Sequence, residues 1–212
     1  MKKIILSLLV LTATLGFAQS EKYNLAMKAN LAKLDTAKSA ADLEAMAAAF
    51  TRIGDAEKTQ WLPYYWAGLA LSNVGWMDAK ADKDVLGGRI LALCDKADAI
   101  ATDNADKAEI LVLRNMAATQ QMLVDPQARY MTYGQQAATH LQKGMSLNAN
   151  NPRLYYLQGM SLFNTPEQFG GGKAKAKPVF EKAVSLYKSE QAKPLHPYWG
   201  DKMAADMLAQ CQ

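Results

Sequence analysis

A spacing of about 45 residues constrains this chain more than any other feature. The stretches "LPYYWAGLAL" (62–71), "AEILVLRNMA" (108–117) and "PRLYYLQGMSL" (152–162) stack so that Tyr64, Ile110 and Tyr155 align, as do Gly68, Arg114 and Gly159, at steps of 46 and 45 residues. A second series follows them: "GGRILALCDKADAI", "GQQAATHLQKGMSL" and "GGKAKAKPVFEKAVSL" align Cys94, Leu141 and Phe180, then Ala97, Gly144 and Ala183 three residues on. Pro63, Pro152 and Pro197 fall in the same register. Proline is tolerated at a helix start, where its missing N–H would have lacked a partner anyway. A unit of this size cannot bury its apolar face alone, so repetition implies stacking of neighbours around a continuous core.

Within each unit the apolar residues recur at spacings of three and four, as in Leu43, Met46, Ala47 and Phe50, or Ile90, Leu91, Cys94, Ala97 and Ile100. Alternation of period two is scarcely visible, so the fold class read from the sequence is all-α. Gly and Pro clusters separate the helices, among them "VGW" (74–76), "VDP" (124–126), "NANNP" (148–152) and "FGGG" (169–172). Upstream, Lys22–Leu34 and Ser39–Ile53 read as two further helices, the second with a Ser39 cap and Asp42 in its first turn. The expected organisation is a leader over 1–18, capping helices over 19–57, and repeats at about 60–103, 106–149 and 152–190, ending in a closing helix over 197–211 that completes 58–212.

Small residues one helical turn from bulky ones let paired helices approach closely. The first-helix pattern Tyr64, Ala67, Gly68, Leu71 and again Tyr155, Gly159, Leu162, with the second-helix pattern Ile90, Cys94, Ala97 and Ala176, Phe180, Ala183, resembles the tetratricopeptide repeat. Arg114 and Gly144 depart from it, and each unit exceeds the family's usual 34 residues. The whole is similar to exported tetratricopeptide-like proteins of Gram-negative bacteria. The resemblance implies a right-handed solenoid of antiparallel helix pairs whose concave groove holds a partner segment. Carried to this sequence, the groove positions are Tyr65, Leu69, Leu111, Asn115, Arg153, Tyr156, Met160 and Phe163.

The N-terminus fixes the expected compartment. Lys2 and Lys3 precede an apolar run from Ile4 to Leu15, and Gly16 and Ala18 supply the small side chains a signal peptidase accepts, so cleavage is expected after Ala18 and the mature chain in the periplasm. The run is too short for a span, which needs about 20 residues. Removing the leader leaves 22 of the 24 basic residues against 20 acidic ones, a net charge of +2 that is no footprint for nucleic acid or an anionic membrane. Cys94 and Cys211 sit at helical apolar spacing, where buried free thiols are favoured over a bridge.

Chemical motifs fall short. "TPEQFGGGKAKAKPVFEKA" (165–183) invites a phosphate-loop reading, yet Glu167 stands where the first glycine belongs and Ala174 where the magnesium-binding hydroxyl belongs. The acidic run beginning at Asp82 places Gly87 as a calcium-binding hand would, but Leu86 and Leu93 replace its fifth and twelfth ligands. His140 and His196 are isolated, so no catalytic residue, metal site or cofactor is expected. The function expected from sequence is a non-catalytic scaffold that binds a protein or peptide partner in its groove. The alternative is a small-ligand binder, of a sugar or cell-wall fragment, using the aromatic cluster at Trp61 and Trp66.

Overall fold

The computed structural model describes residues 21–212, whose regular secondary structure is all helical, with no strand among the described residues. The leader and its cleavage point after Ala18 lie outside them. Helix α1 spans residues 21–34 and buries Tyr23, Met27 and Leu31, four residues apart. Helix α2 (Ala40–Glu57) begins in a reciprocal capping box: Ser39 Oγ accepts from the Asp42 N–H, and Asp42 returns the bond to the Ser39 N–H.

Then follow α3 (Leu62–Met77), α4 (Lys83–Asp98), α5 (Asn104–Met122), the short α6 (Pro126–Arg129), a π-helical turn over Tyr130–Gly134, α7 (Gln135–Leu147), α8 (Pro152–Asn164), a 3₁₀ turn over Glu167–Phe169, α9 (Lys173–Ser189) and α10 (Asp201–Ala209). Each helix packs on its sequence neighbour, α2 on α3, α3 on α4, α4 on α5, α5 on α7, α8 on α9 and α9 on α10. Short connections make such neighbours antiparallel. The aligned small residues explain the pairing: at Gly159 a β-carbon would sit 2.5 Å from Phe180 Cε1, so the α8–α9 approach requires its absence.

The asparagine and aspartate residues of the turns start helices. Asp82 accepts from the Asp84 and Val85 N–H groups, Asp103 from Ala105, Asp125 from Ala128 and Asn151 from Arg153. Asp82 thereby serves as the cap of α4. The glycines of 170–172 serve a turn: Gly170 and Gly172 take φ of 85° and 95°, open to glycine at little cost, and Gly171 lies against the Thr165 and Leu162 carbonyls.

One expected element begins late. Residues 197–200 are not helical, and α10 starts at Asp201 after Gly200 at φ 108°. Pro197 is engaged elsewhere, as described below.

Cys94 and Cys211 are both free thiols. Cys94 is 1% exposed and burial pushes its thiol up to about 12, so almost none is thiolate near neutral pH. A disulfide-exchange reagent should therefore label one cysteine, Cys211, in the native protein and both only after denaturation; two fast equivalents would contradict this burial.

Candidate functional site

Helix α3 is apolar on every side, and every residue from Leu62 to Leu71 is buried. A helix of that composition must be covered all round. Helices α2, α4 and α5 cover part of it. The rest is covered by the strap of residues 190–200, which joins α9 to α10 and runs back across the array. Trp66 Nε1 donates to the Leu195 carbonyl at 2.8 Å, and its ring meets that of Tyr198 at 5.3 Å. Trp199 Nε1 donates to the Tyr65 hydroxyl at 2.9 Å, the Trp61 and His196 rings meet edge to face at 5.7 Å, and the Tyr198 hydroxyl donates to Asp35 at 2.7 Å.

Beneath the strap lies a buried ionic network. Arg153, 0% exposed, donates through Nη1 to Glu109 (3.1 Å) and Glu190 (2.6 Å) and through Nη2 to Glu190 (3.1 Å) and the Pro197 carbonyl (2.6 Å). Glu109 also accepts from the Tyr65 hydroxyl at 3.3 Å and Asn151 Nδ2 at 2.9 Å. Burial opposes the charge on Arg153, but Glu109 and Glu190 outweigh it and keep the guanidinium protonated. Burial, then Glu109, pushes the Tyr65 phenol far up, so it stays neutral. The bond to Pro197 engages its carbonyl outside any helix, in keeping with the late start of α10.

Of the eight groove positions named from sequence, Tyr65, Leu69, Leu111, Asn115, Arg153 and Tyr156 are buried and Met160 and Phe163 are half-buried. Tyr65 and Arg153 hold the strap. Asn115 Nδ2 donates to the Ala137 carbonyl at 2.8 Å, tying α5 to α7. Tyr156 and Phe163 pack on Phe180 at ring distances of 6.4 and 6.5 Å. Trp61 and Trp66, the cluster of the ligand alternative, are likewise buried under the strap.

An open apolar surface lies elsewhere, where α3 and α5 end. Trp76, Met77, Leu123 and Val124 are 47–55% exposed, far more than large apolar side chains in the core. Trp76, Leu123 and Val124 line a depression of about 620 Å³ with Ala79, Ala81 and Gln120, rimmed by Lys80 and Lys83. That volume falls within the roughly 300–1,000 Å³ of small-molecule sites. Of the two acidic lining residues, Asp82 caps α4 and faces its N-terminus, and Asp84 takes a two-pronged pair from Arg129 at 2.8 and 3.0 Å, which holds its carboxyl below the usual range. Lys83 Nζ donates to the Asp78 carbonyl at 2.7 Å, and Lys80 has no ion-pair partner among the described residues. The floor is set by Gln120, whose amide donates to the Ser72 carbonyl and hydroxyl. The Tyr130–Gly134 π turn flanks this edge through Arg129 and presents Tyr130 and Met131, 61% and 66% exposed.

Sequence reasoning missed this surface because "VGW" and "VDP" read as turns. Val74–Trp76 is instead the last turn of α3, and the available signal was the pair of large apolar residues directly before an aspartate at each place, Trp76–Met77 before Asp78 and Leu123–Val124 before Asp125.

Fold and site together describe an all-helical protein with a strapped core and an open apolar edge. No protein-family model matches the sequence, and no curated protein matches it. Among solved structures, the HusA haemophore from Porphyromonas gingivalis superposes with a TM-score of 0.79 at 34% sequence identity, over 93% of this chain and 94% of that one. At that identity and mutual coverage the chain belongs to the same family as that haemophore. No helix among the described residues is long and apolar enough to cross a membrane, and they contain no cluster of three or more His, Cys, Asp or Glu suited to a metal ion.

Proposed function

We propose that this protein is an exported, non-catalytic carrier of a flat, apolar, anionic small ligand of the porphyrin class, haem included, bound at the α3–α5 edge. The observation that carries the reading is the half-exposed Trp76 beside Leu123 and Val124 under a lysine rim, in a chain akin to a haemophore. A macrocycle offers two apolar faces to the indole and aliphatic side chains and carboxylates to Lys80 and Lys83. Desolvating large apolar groups while leaving charges at the rim is the usual division of labour in such sites. Small-ligand binding thus replaces the scaffold as the leading reading, with a porphyrin in place of a sugar. The stack of helix pairs is read as a tetratricopeptide-like right-handed solenoid, supported by the aligned Gly68 and Gly159. Its concave face already holds a peptide segment, the chain's own strap, which weakens the case for a foreign one there.

Titration of the mature protein with haemin and with protoporphyrin, followed by Soret absorption, tests the proposal. Saturable binding is expected, weakened about tenfold or more by Trp76→Ala or Leu123→Ser, since a buried large apolar contact contributes roughly 1.5–3 kcal/mol. Lys80→Ala should cost less, and more at low salt than at high. Absence of saturation, or affinity indifferent to both apolar substitutions, would overturn the assignment.

A further inference from the structure

A second cleft, of about 440 Å³, lies between the end of α4, the first half of α5 and α7. Leu111 and Leu147 supply its apolar lining and Asp98, Lys107, Arg114, His140 and Lys143 its polar one. The cations are not equivalent. Arg114 is already bound by Asp95 at 2.7 Å and Asp98 at 2.6 Å, so the one acidic lining residue is spent on it. Lys107 and Lys143 have no ion-pair partner among the described residues. His140 stands among them half-buried, without a hydrogen-bond partner for its ring among the described residues.

We infer that this cleft is a separate binding site for a small amphiphilic carboxylate, its anionic head between Lys107, Lys143 and the His140 imidazole and its apolar body against Leu111 and Leu147. Two uncompensated ammonium groups around a partly desolvated hollow attract an anion more strongly than they would on an open surface. The apolar lining selects against a bare inorganic ion, which would gain nothing from the half-buried Leu147 or from the small part of Leu111 that the cleft leaves uncovered. Burial, then the charges of Arg114 and Lys143, hold the His140 imidazole below its ordinary value. Near neutral pH it is therefore an uncharged ring with one N–H to donate to a carboxylate. A bound anion offsets those same cations, so occupancy must raise the midpoint at which His140 takes up a proton.

Imidazole NMR resonances of the full mature protein read this directly, because the sequence holds only two histidines and His196 serves as the internal reference. Hexanoate should shift the His140 signals saturably, leave those of His196 in place, and raise the His140 midpoint by about one pH unit, the equivalent of tenfold tighter binding to the protonated form. Lys107→Ala and Lys143→Ala should each weaken hexanoate several-fold, while Lys175→Ala on α9 should not. Leu147→Ser should weaken hexanoate and leave any response to inorganic phosphate unchanged. Failure of hexanoate to saturate, equal binding of phosphate and hexanoate, or indifference to both lysine substitutions would each overturn the inference. A circular dichroism spectrum unchanged in the variants separates these outcomes from misfolding.

Discussion

Replacing Arg153 with alanine is expected to destabilise the protein by about 3–5 kcal/mol, lowering its melting temperature by roughly 6–20 °C for a domain of this size. A fully buried guanidinium bonded to two carboxylates and a carbonyl cannot be deleted singly. Its loss leaves Glu109, itself buried, without the cation that offsets its desolvation, and frees Glu190 and Pro197, two of the points by which the strap is pinned. Arg153→Lys should recover only part, because an ammonium cannot reproduce the two-pronged fork to Glu190. The exposed pair Lys202–Asp206 on α10 is the control, and Lys202→Ala should change nothing measurable. Denaturant unfolding with an unchanged slope would report the difference, and a loss below about 1 kcal/mol for Arg153→Ala would show that the network contributes little beyond packing. Partial rescue by adding Glu109→Gln would show that the cost resides in the stranded carboxylate.

The same residue shows how far the sequence could be read. Repetition at 45 residues, helix starts at Pro63 and Pro152, the Ser39 cap and the all-helical class were legible because they depend on local periodicity and capping chemistry. Arg153 was read as a position of the partner-binding groove on α8 and not as a buried ion, since its partners Glu109 and Glu190 lie 44 and 37 residues away and only the fold brings them together. The strap was invisible for a related reason. "KPLHPYW" carries the marks of a turn before a helix, and nothing local says that Leu195 and Pro197 offer carbonyls to Trp66 and Arg153. What could have warned of it is α3: ten consecutive buried residues leave no face for a groove, so something beyond the flanking helices had to cover Tyr65 and Trp66. The open α3–α5 edge lay outside reach because exposure of Trp76 and Leu123 is set by where the neighbouring turns stop.

Trp66→Ala is the second large effect, and it separates packing from the hold on the strap. Trp66 is 1% exposed and meets Phe50, Tyr65 and Tyr198 at ring distances of 6.5, 5.6 and 5.3 Å. Truncating so large a core side chain costs about 3–5 kcal/mol through lost transfer and the cavity left behind. Trp66→Phe keeps much of the ring contact and removes the bond to the Leu195 carbonyl, so it should cost much less, although the stranded carbonyl adds about 1 kcal/mol if water cannot reach it. Leu195 itself sits at φ 63°, a conformation an ordinary residue holds only under constraint. Hydrogen exchange over 190–200 should therefore accelerate in Trp66→Ala beyond the change its lower global stability imposes on α5 and α9, and far less so in Trp66→Phe. Equal acceleration across all three segments would mean that the strap opens only when the whole molecule does, and that Trp66 acts on it through the core alone.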